Sequence, residues 1–95
     1  MNQCIYSPAA RRDLFEIYEY IAQDRPGAAL RFIGRLEDTC QWLAAEREMG
    51  QRVDELRQGA RIFSYEMYAI FYEIAANDIR ILRIVHGARD YGLLF

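Results

Sequence analysis

The chain has no lysine; all 12 of its basic residues are arginine. That absence removes a lysine nucleophile, a Schiff base and the phosphate-binding lysine of a P-loop. It also leaves every cationic contact to guanidinium forks, which suit carboxylate and phosphate partners. Biased base composition of the coding sequence accounts for it equally well. His86 is the single histidine, and Cys4 and Cys40 are the two cysteines. Zinc sites want three or four converging ligands. These residues show no such spacing, so no metal and no other cofactor is expected. Two isolated cysteines in a reducing compartment read as small buried apolar side chains. No apolar run approaches the ~20 residues needed to cross a bilayer. The start, Met1-Asn2-Gln3-Cys4-Ile5-Tyr6, is neither basic nor long and apolar, unlike a secretory signal. These absences point to the cytoplasm and away from membranes. A net charge of -2 and a pI near 5.3 argue against coating nucleic acid by charge alone.

What is present is ordinary for a globular chain. Hydrophobic residues at 53% and charged residues at 27% leave too much apolar content for intrinsic disorder. With 95 residues, a second core does not fit, so residues 1–95 are expected to form one domain. A short strand is expected over Gln3–Tyr6. Ser7 then offers an N-cap and Pro8 the first helical position. Ala10, Leu14, Ile17 and Ile21 recur at helical spacing, giving a helix over about 8–23. Asp24-Arg25-Pro26-Gly27 interrupts it. Ala29, Phe32, Ile33, Leu36, Cys40 and Leu43 carry a second helix over about 26–47, with Met49-Gly50 as its stop. So short a link makes the two helices antiparallel neighbours.

The segment 51–60 is polar and reads as a connector. Three strands follow: Arg61–Tyr65, Tyr68–Ile74 and Ile79–His86, joined at Glu66-Met67 and at 75–78. The middle strand is apolar on both parities and so should be central. Residues 87–95 form a tail. The class is α+β: a short N-terminal strand and an antiparallel helical hairpin packed on one face of a three- to four-stranded antiparallel sheet. The second face must be covered by the tail or by a partner chain.

Across nearly the whole chain, this order of residues resembles the ParE branch of the RelE/ParE toxin superfamily of bacterial type II toxin–antitoxin systems. The likeness runs from Tyr6-Ser7-Pro8-Ala9-Ala10 with Asp13-Leu14 and Tyr20-Ile21, through Glu55-Leu56-Arg57, Gly59 and Arg61. It is strongest in Tyr68-Ala69-Ile70-Phe71-Tyr72 and in the run from Ile81 to Asp90. The family often has a proline ahead of the glycine after the second helix, where this chain has Glu46-Arg47-Glu48-Met49 before Gly50. The resemblance implies a toxin neutralised by a ParD-like antitoxin encoded beside it, whose C-terminal half folds along the toxin. ParE-type members poison DNA gyrase without catalysis. RelE-type members cut mRNA on the ribosome. Nucleic acid would be met only indirectly, through antitoxin or gyrase.

Fold alone does not choose between these activities. RNA cleavage needs a base, an acid and a stabilised phosphate. Glu55 is the candidate base and His86 the candidate acid. Arg57, Arg61, Arg80, Arg83 and Arg89 could hold phosphate, and Tyr91 could stack on a base. Each has a plainer reading: a surface ion pair for Glu55, a backbone hydrogen bond for His86, and for Arg83 a buried stem with its head on an acid. The mildly acidic balance favours a binding toxin with no catalytic residues. Its antitoxin- or target-binding candidates are Arg57, Arg61, Arg80, Arg83, Arg89, Tyr91, Leu93, Leu94 and Phe95. A RelE-like nuclease and a non-toxic antitoxin-binding relative are the alternatives.

Overall fold

Ser7 and Pro8 start a helix as their positions predict. In the computed structural model, which describes residues 2–95, Ser7 Oγ accepts from the Ala10 N–H at 3.0 Å. Helix α1 spans Pro8–Ala22, after strand β1 (Cys4–Tyr6). Helix α2 spans Pro26–Ala45. Then come β2 (Gln51–Arg52), β3 (Ala60–Tyr65), β4 (Tyr68–Ala75) and β5 (Asp78–His86), and a 3-10 turn at Tyr91–Leu93. The strands form one sheet in the order β1-β5-β4-β3-β2, with the apolar β4 at its centre.

The α+β class and the helical hairpin are as expected, but the sheet differs in two respects. It has five strands rather than three or four. It is also mixed, because β1 runs parallel to β5. A strand separated from its neighbour by two helices and three strands is not held to the antiparallel direction that a tight turn imposes. The added strand β2 lies in the segment read as a connector. Gln51 faces Ile62 and Arg52 faces Arg61. Two exposed polar residues show no apolar alternation, so their pairing left no trace in the pattern.

Both faces of the sheet are covered. On the helix side, Ala10, Ile17, Leu36, Leu43, Ile70, Tyr72 and Ile81 share one core. On the other side Ala69, Phe71, Leu82 and Val85 lie beneath Val53, Leu56, Tyr91 and Leu94. Phe71 meets the rings of Tyr91 and Phe95 edge-on, at centroid distances of 5.0 and 5.5 Å. Of the two expected covers for this face, the chain's own tail, helped by the segment after β2, is the one present. Two covered faces explain why both parities of β4 are apolar.

One irregularity shapes the sheet. Phe71 pairs with Arg83 and Tyr72 with Ile81, so Leu82 is an extra residue in β5. The bulge changes parity along the strand. Ile81 and Ile84, three apart, therefore both join the helix-side core. Backbone groups around the bulge find partners at the start of α1. Ser7 Oγ donates to Leu82 O at 2.9 Å, Ser7 N donates to Ile81 O at 2.9 Å, and Ile84 N donates to an Asp13 carboxylate oxygen at 2.9 Å.

Gly50 plays a different part from the expected helix stop. Helix α2 already ends at Ala45. Gly50 instead lies against the ring of Tyr72, where a Cβ would come within 2.6 Å of the ring atoms. The Tyr72 hydroxyl accepts from Gly50 N–H at 2.8 Å and donates to Arg47 O at 2.7 Å. Arg61 donates to Gly50 O at 2.8 Å and Glu48 O at 3.2 Å, tying β3 to the loop after α2.

Candidate functional site

Asp13 is an acid on the buried stripe of α1, between Ala10 and Ile17, and its side chain is 6% exposed. An ionised carboxylate there needs a partner. The bulge supplies one by turning Arg83 toward the helix. Arg83 Nε donates to Oδ2 at 2.7 Å and Nη2 to Oδ1 at 2.9 Å, a two-point fork. Hydrogen bonding to Asp13 raises the Arg83 pKa further above its ordinary value. The plainer reading of Arg83, a packed stem with its head on an acid, is the observed one. Its guanidinium is committed to the fold.

Beside that fork, Arg12, Arg57 and Arg80 line the same shallow groove as Arg83, about 400 Å³ in volume, with Leu94 and Phe95 at its rim. Glu73 sits between two of these arginines, 3.6 Å from Arg57 and 3.9 Å from Arg80. Such long, half-exposed contacts contribute ~0–1 kcal/mol each. They leave Arg57 and Arg80 with donors to spare, and Arg12 has no ion pair among the described residues. The groove is a cationic concavity with an apolar lip. It can take a carboxylate-bearing peptide or another anionic group through bidentate contacts.

The remaining candidates are dispersed. Arg61 points at the loop after α2, away from this groove. Arg89 is exposed and lines a smaller groove, about 160 Å³, with His86, Tyr20 and Tyr68. His86 Nδ1 accepts from Ala88 N–H at 3.1 Å, and its ring meets the edge of Tyr68 at 5.9 Å. The plainer reading of His86, a backbone hydrogen bond, is the observed one. Glu55 lies in the loop whose Arg57 reaches Glu73, at the Arg80 end of β5. His86 stands at the other end of that strand. No hydrogen bond or ion pair among the described residues joins the pair proposed as acid and base. In the tail, Tyr91 donates to Gly87 O at 2.8 Å, Leu94 packs inward and Leu93 is 83% exposed.

Sequence reasoning missed Arg12 and Asp13. Asp13 had a signal: a lone acid at an inward helical position, opposite a lone arginine in an apolar strand. Arg12 had none, since an arginine on the polar side of a helix is commonplace. A second unforeseen surface is apolar. The Trp42 and Phe63 rings meet at a tilt, 5.4 Å between centroids, and with Thr39 and Tyr65 they line an open groove between α2 and β3.

A helical hairpin on a mixed sheet is an arrangement this chain shares with solved structures of toxin–antitoxin systems. The solved structure of the chromosomal ParDE toxin–antitoxin system from P. aeruginosa superposes with a TM-score of 0.78 at 22% identity, covering 90% of this chain and 96% of the other. The RelBE2 toxin–antitoxin complex from Mycobacterium tuberculosis gives a TM-score of 0.68 at 20% identity, covering 88% and 95%. Sequence narrows the class. Residues 4–91 match the family described as ParE toxin of type II toxin-antitoxin system, parDE. Toxin ParE1 of Mycobacterium tuberculosis is 30% identical over 92 residues, 94% of this chain and 93% of its own length. Toxin ParE3 of Caulobacter vibrioides is 26% identical over 88 residues, 92% and 88% of the two chains. The chain belongs to the ParE toxin family.

Proposed function

We propose that this chain inhibits growth by binding DNA gyrase, without catalysis of its own, and is silenced by a ParD-like antitoxin. The observation that carries the reading is membership of the ParE family over residues 4–91. The mildly acidic balance, with a pI near 5.3, supports it against a nuclease that must bind ribosomal RNA. Poisoning needs no proton transfer by the toxin, only tighter binding to gyrase holding cleaved DNA. The gyrase-facing surface is the C-terminal strand and tail, with Arg80, Arg57, Arg89 and the exposed Leu93. Arg83 contributes by holding β5 in place.

The antitoxin has two features to engage. Its acidic groups suit the groove of Arg12, Arg57 and Arg80. Its apolar side chains suit the Trp42–Phe63 groove and the exposed Phe15, Tyr20 and Leu30 of the helices. Beside that groove, β2 pairs only with Arg61 and Ile62, so the rest of β3 from Phe63 to Tyr65 has an open edge for an added strand.

The test is purified toxin on two substrates. Stabilised gyrase–DNA cleavage complexes with intact mRNA on ribosomes are expected. Arg89→Glu and Arg80→Glu should weaken that effect, while Arg11→Glu, over the Tyr6 ring and outside the groove, should not. Untouched gyrase at growth-inhibiting concentrations would refute the target. Cleaved mRNA abolished by a folded His86→Ala would establish the nuclease instead.

A further inference from the structure

The two cysteines, far apart in sequence, meet in the fold. Cys4 and Tyr6 lie on the helix-facing side of β1, and both pack on the core that contains Cys40. Cys40 is on the inward stripe of α2 between Leu36 and Leu43, fully buried. Helix α2 crosses β1, and Gln41 Nε2 donates to Asn2 O at 3.3 Å, fixing that end of the helix over the strand. The thiols of Cys4 and Cys40 are in side-chain contact, and the Tyr6 hydroxyl touches both. Both are free thiols, Cys40 sealed and Cys4 half-buried.

We propose that Cys4 and Cys40 form a reversible disulfide, a modification site that joins β1 to α2. A disulfide needs two sulfurs brought side by side, and these two thiols meet within one core. The two sulfurs differ in character. Hydrogen bonding from the Cys40 thiol lowers the Cys4 pKa, and the Tyr6 hydroxyl acts in the same direction. Cys40 is pushed the other way, by its hydrogen bond to Cys4 and by burial. Cys4, half-buried where Cys40 is sealed, is the sulfur a reagent can reach, so it attacks and Cys40 resolves.

The oxidant is a hydroperoxide small enough to reach the half-buried Cys4. The Cys4 thiolate attacks the outer peroxide oxygen. The O–O bond breaks, and the leaving oxygen takes up a proton. Cys4 is then a sulfenic acid. The Cys40 sulfur attacks the Cys4 sulfur and gives up its proton. The S–O bond breaks, water leaves, and the S–S bond forms. One peroxide is reduced and two thiols are oxidised. A dithiol reductant reverses the step by exchange.

The experiment is titration of the purified full chain with hydrogen peroxide. Thiols are counted under denaturing conditions, with intact mass, non-reducing electrophoresis and thermal unfolding. Free thiols should fall from two to none, with the loss of two hydrogens and no dimer. Closing the loop between β1 and α2 should raise Tm by about 10 °C or more, reversed by dithiothreitol. In Cys4→Ser the remaining thiol, Cys40, should be lost about tenfold more slowly than the wild-type thiols. In Cys40→Ala, Cys4 should accumulate as a trappable sulfenic acid. The proposal is overturned by oxygen added to Cys4 while Cys40 stays a thiol, by intermolecular dimers, or by a bond that leaves Tm unchanged. It is equally overturned if the Cys4→Ser chain loses its thiol at the wild-type rate.

Discussion

Replacing Asp13 with alanine removes an acceptor from three donors at once: Arg83 Nε, Arg83 Nη2 and Ile84 N. The guanidinium left behind is 20% exposed, so water only partly repairs the loss. Removing one partner of a buried ion pair costs ~3–5 kcal/mol. The partial exposure of Arg83 argues for the lower half of that range, ~3–4 kcal/mol, the stranded Ile84 N–H included. For a domain this size 1 kcal/mol moves Tm by ~4–8 °C, so a fall of about 12–30 °C is expected. Asp13→Asn keeps an acceptor for Ile84 and loses the charge; it should cost about half as much. Asp13→Leu with Arg83→Met replaces the pair by apolar groups and should cost less than either single change. Urea and thermal unfolding of the four proteins, read as a double-mutant cycle, supply the numbers. An Asp13→Ala chain within ~1 kcal/mol of wild type, or single costs that simply add, would refute this account of the bulge.

Tyr72→Phe strands the buried Gly50 N–H and the Arg47 carbonyl and should cost ~1–3 kcal/mol in urea unfolding. Gly50→Ala drives a methyl into the Tyr72 ring and should cost ~1–3 kcal/mol, and pairing it with Tyr72→Leu should recover part of that. Burial raises the pKa of Tyr6, Tyr68 and Tyr72 in the folded state. Their unfolded values lie near ~10, so above that pH the unfolded chain holds fewer protons. The stability they contribute is therefore full below pH ~10 and lost as pH rises beyond it. Tm should fall between pH 9 and 11, and less steeply in Tyr72→Phe. A flat profile would contradict the burial of these hydroxyls.

Periodicity exposed the larger elements because burial in this chain is regular. Ala10, Ile17, Leu36 and Leu43 lie on inward stripes, and β4 is apolar on both parities because each of its faces is covered. Contacts that depend on tertiary geometry left weaker traces. Gln51 and Arg52 pair through backbone atoms alone, so their side chains do not announce a strand. Gly50 serves an aromatic ring 22 residues away, which local sequence cannot reveal. The cationic groove combines Arg12 of α1 with Arg57 and Arg80 of later segments, and spacing says nothing about such convergence. The expected function rested on a whole-chain likeness, while single candidates such as Glu55 and His86 were chosen by residue type, which carries no information about convergence.

The pairing of β1 with β5 also orders events in time. Within the sheet, the strand made first has only the strand made last as a neighbour, and the contacts of Ser7 and Asp13 with the bulge span 70 residues or more. A chain emerging from its N-terminus can form the helical hairpin early, but its apolar stripes have no sheet to lie on until β5 arrives. At ~5–20 residues per second, a chain of this length spends roughly 5–20 s in synthesis without its native register. Long-range closure of β1 on β5 makes that step the slow one. The groove of Arg12, Arg57 and Arg80 comes into being only at that step. A truncated product therefore lacks the surface through which the proposed function acts.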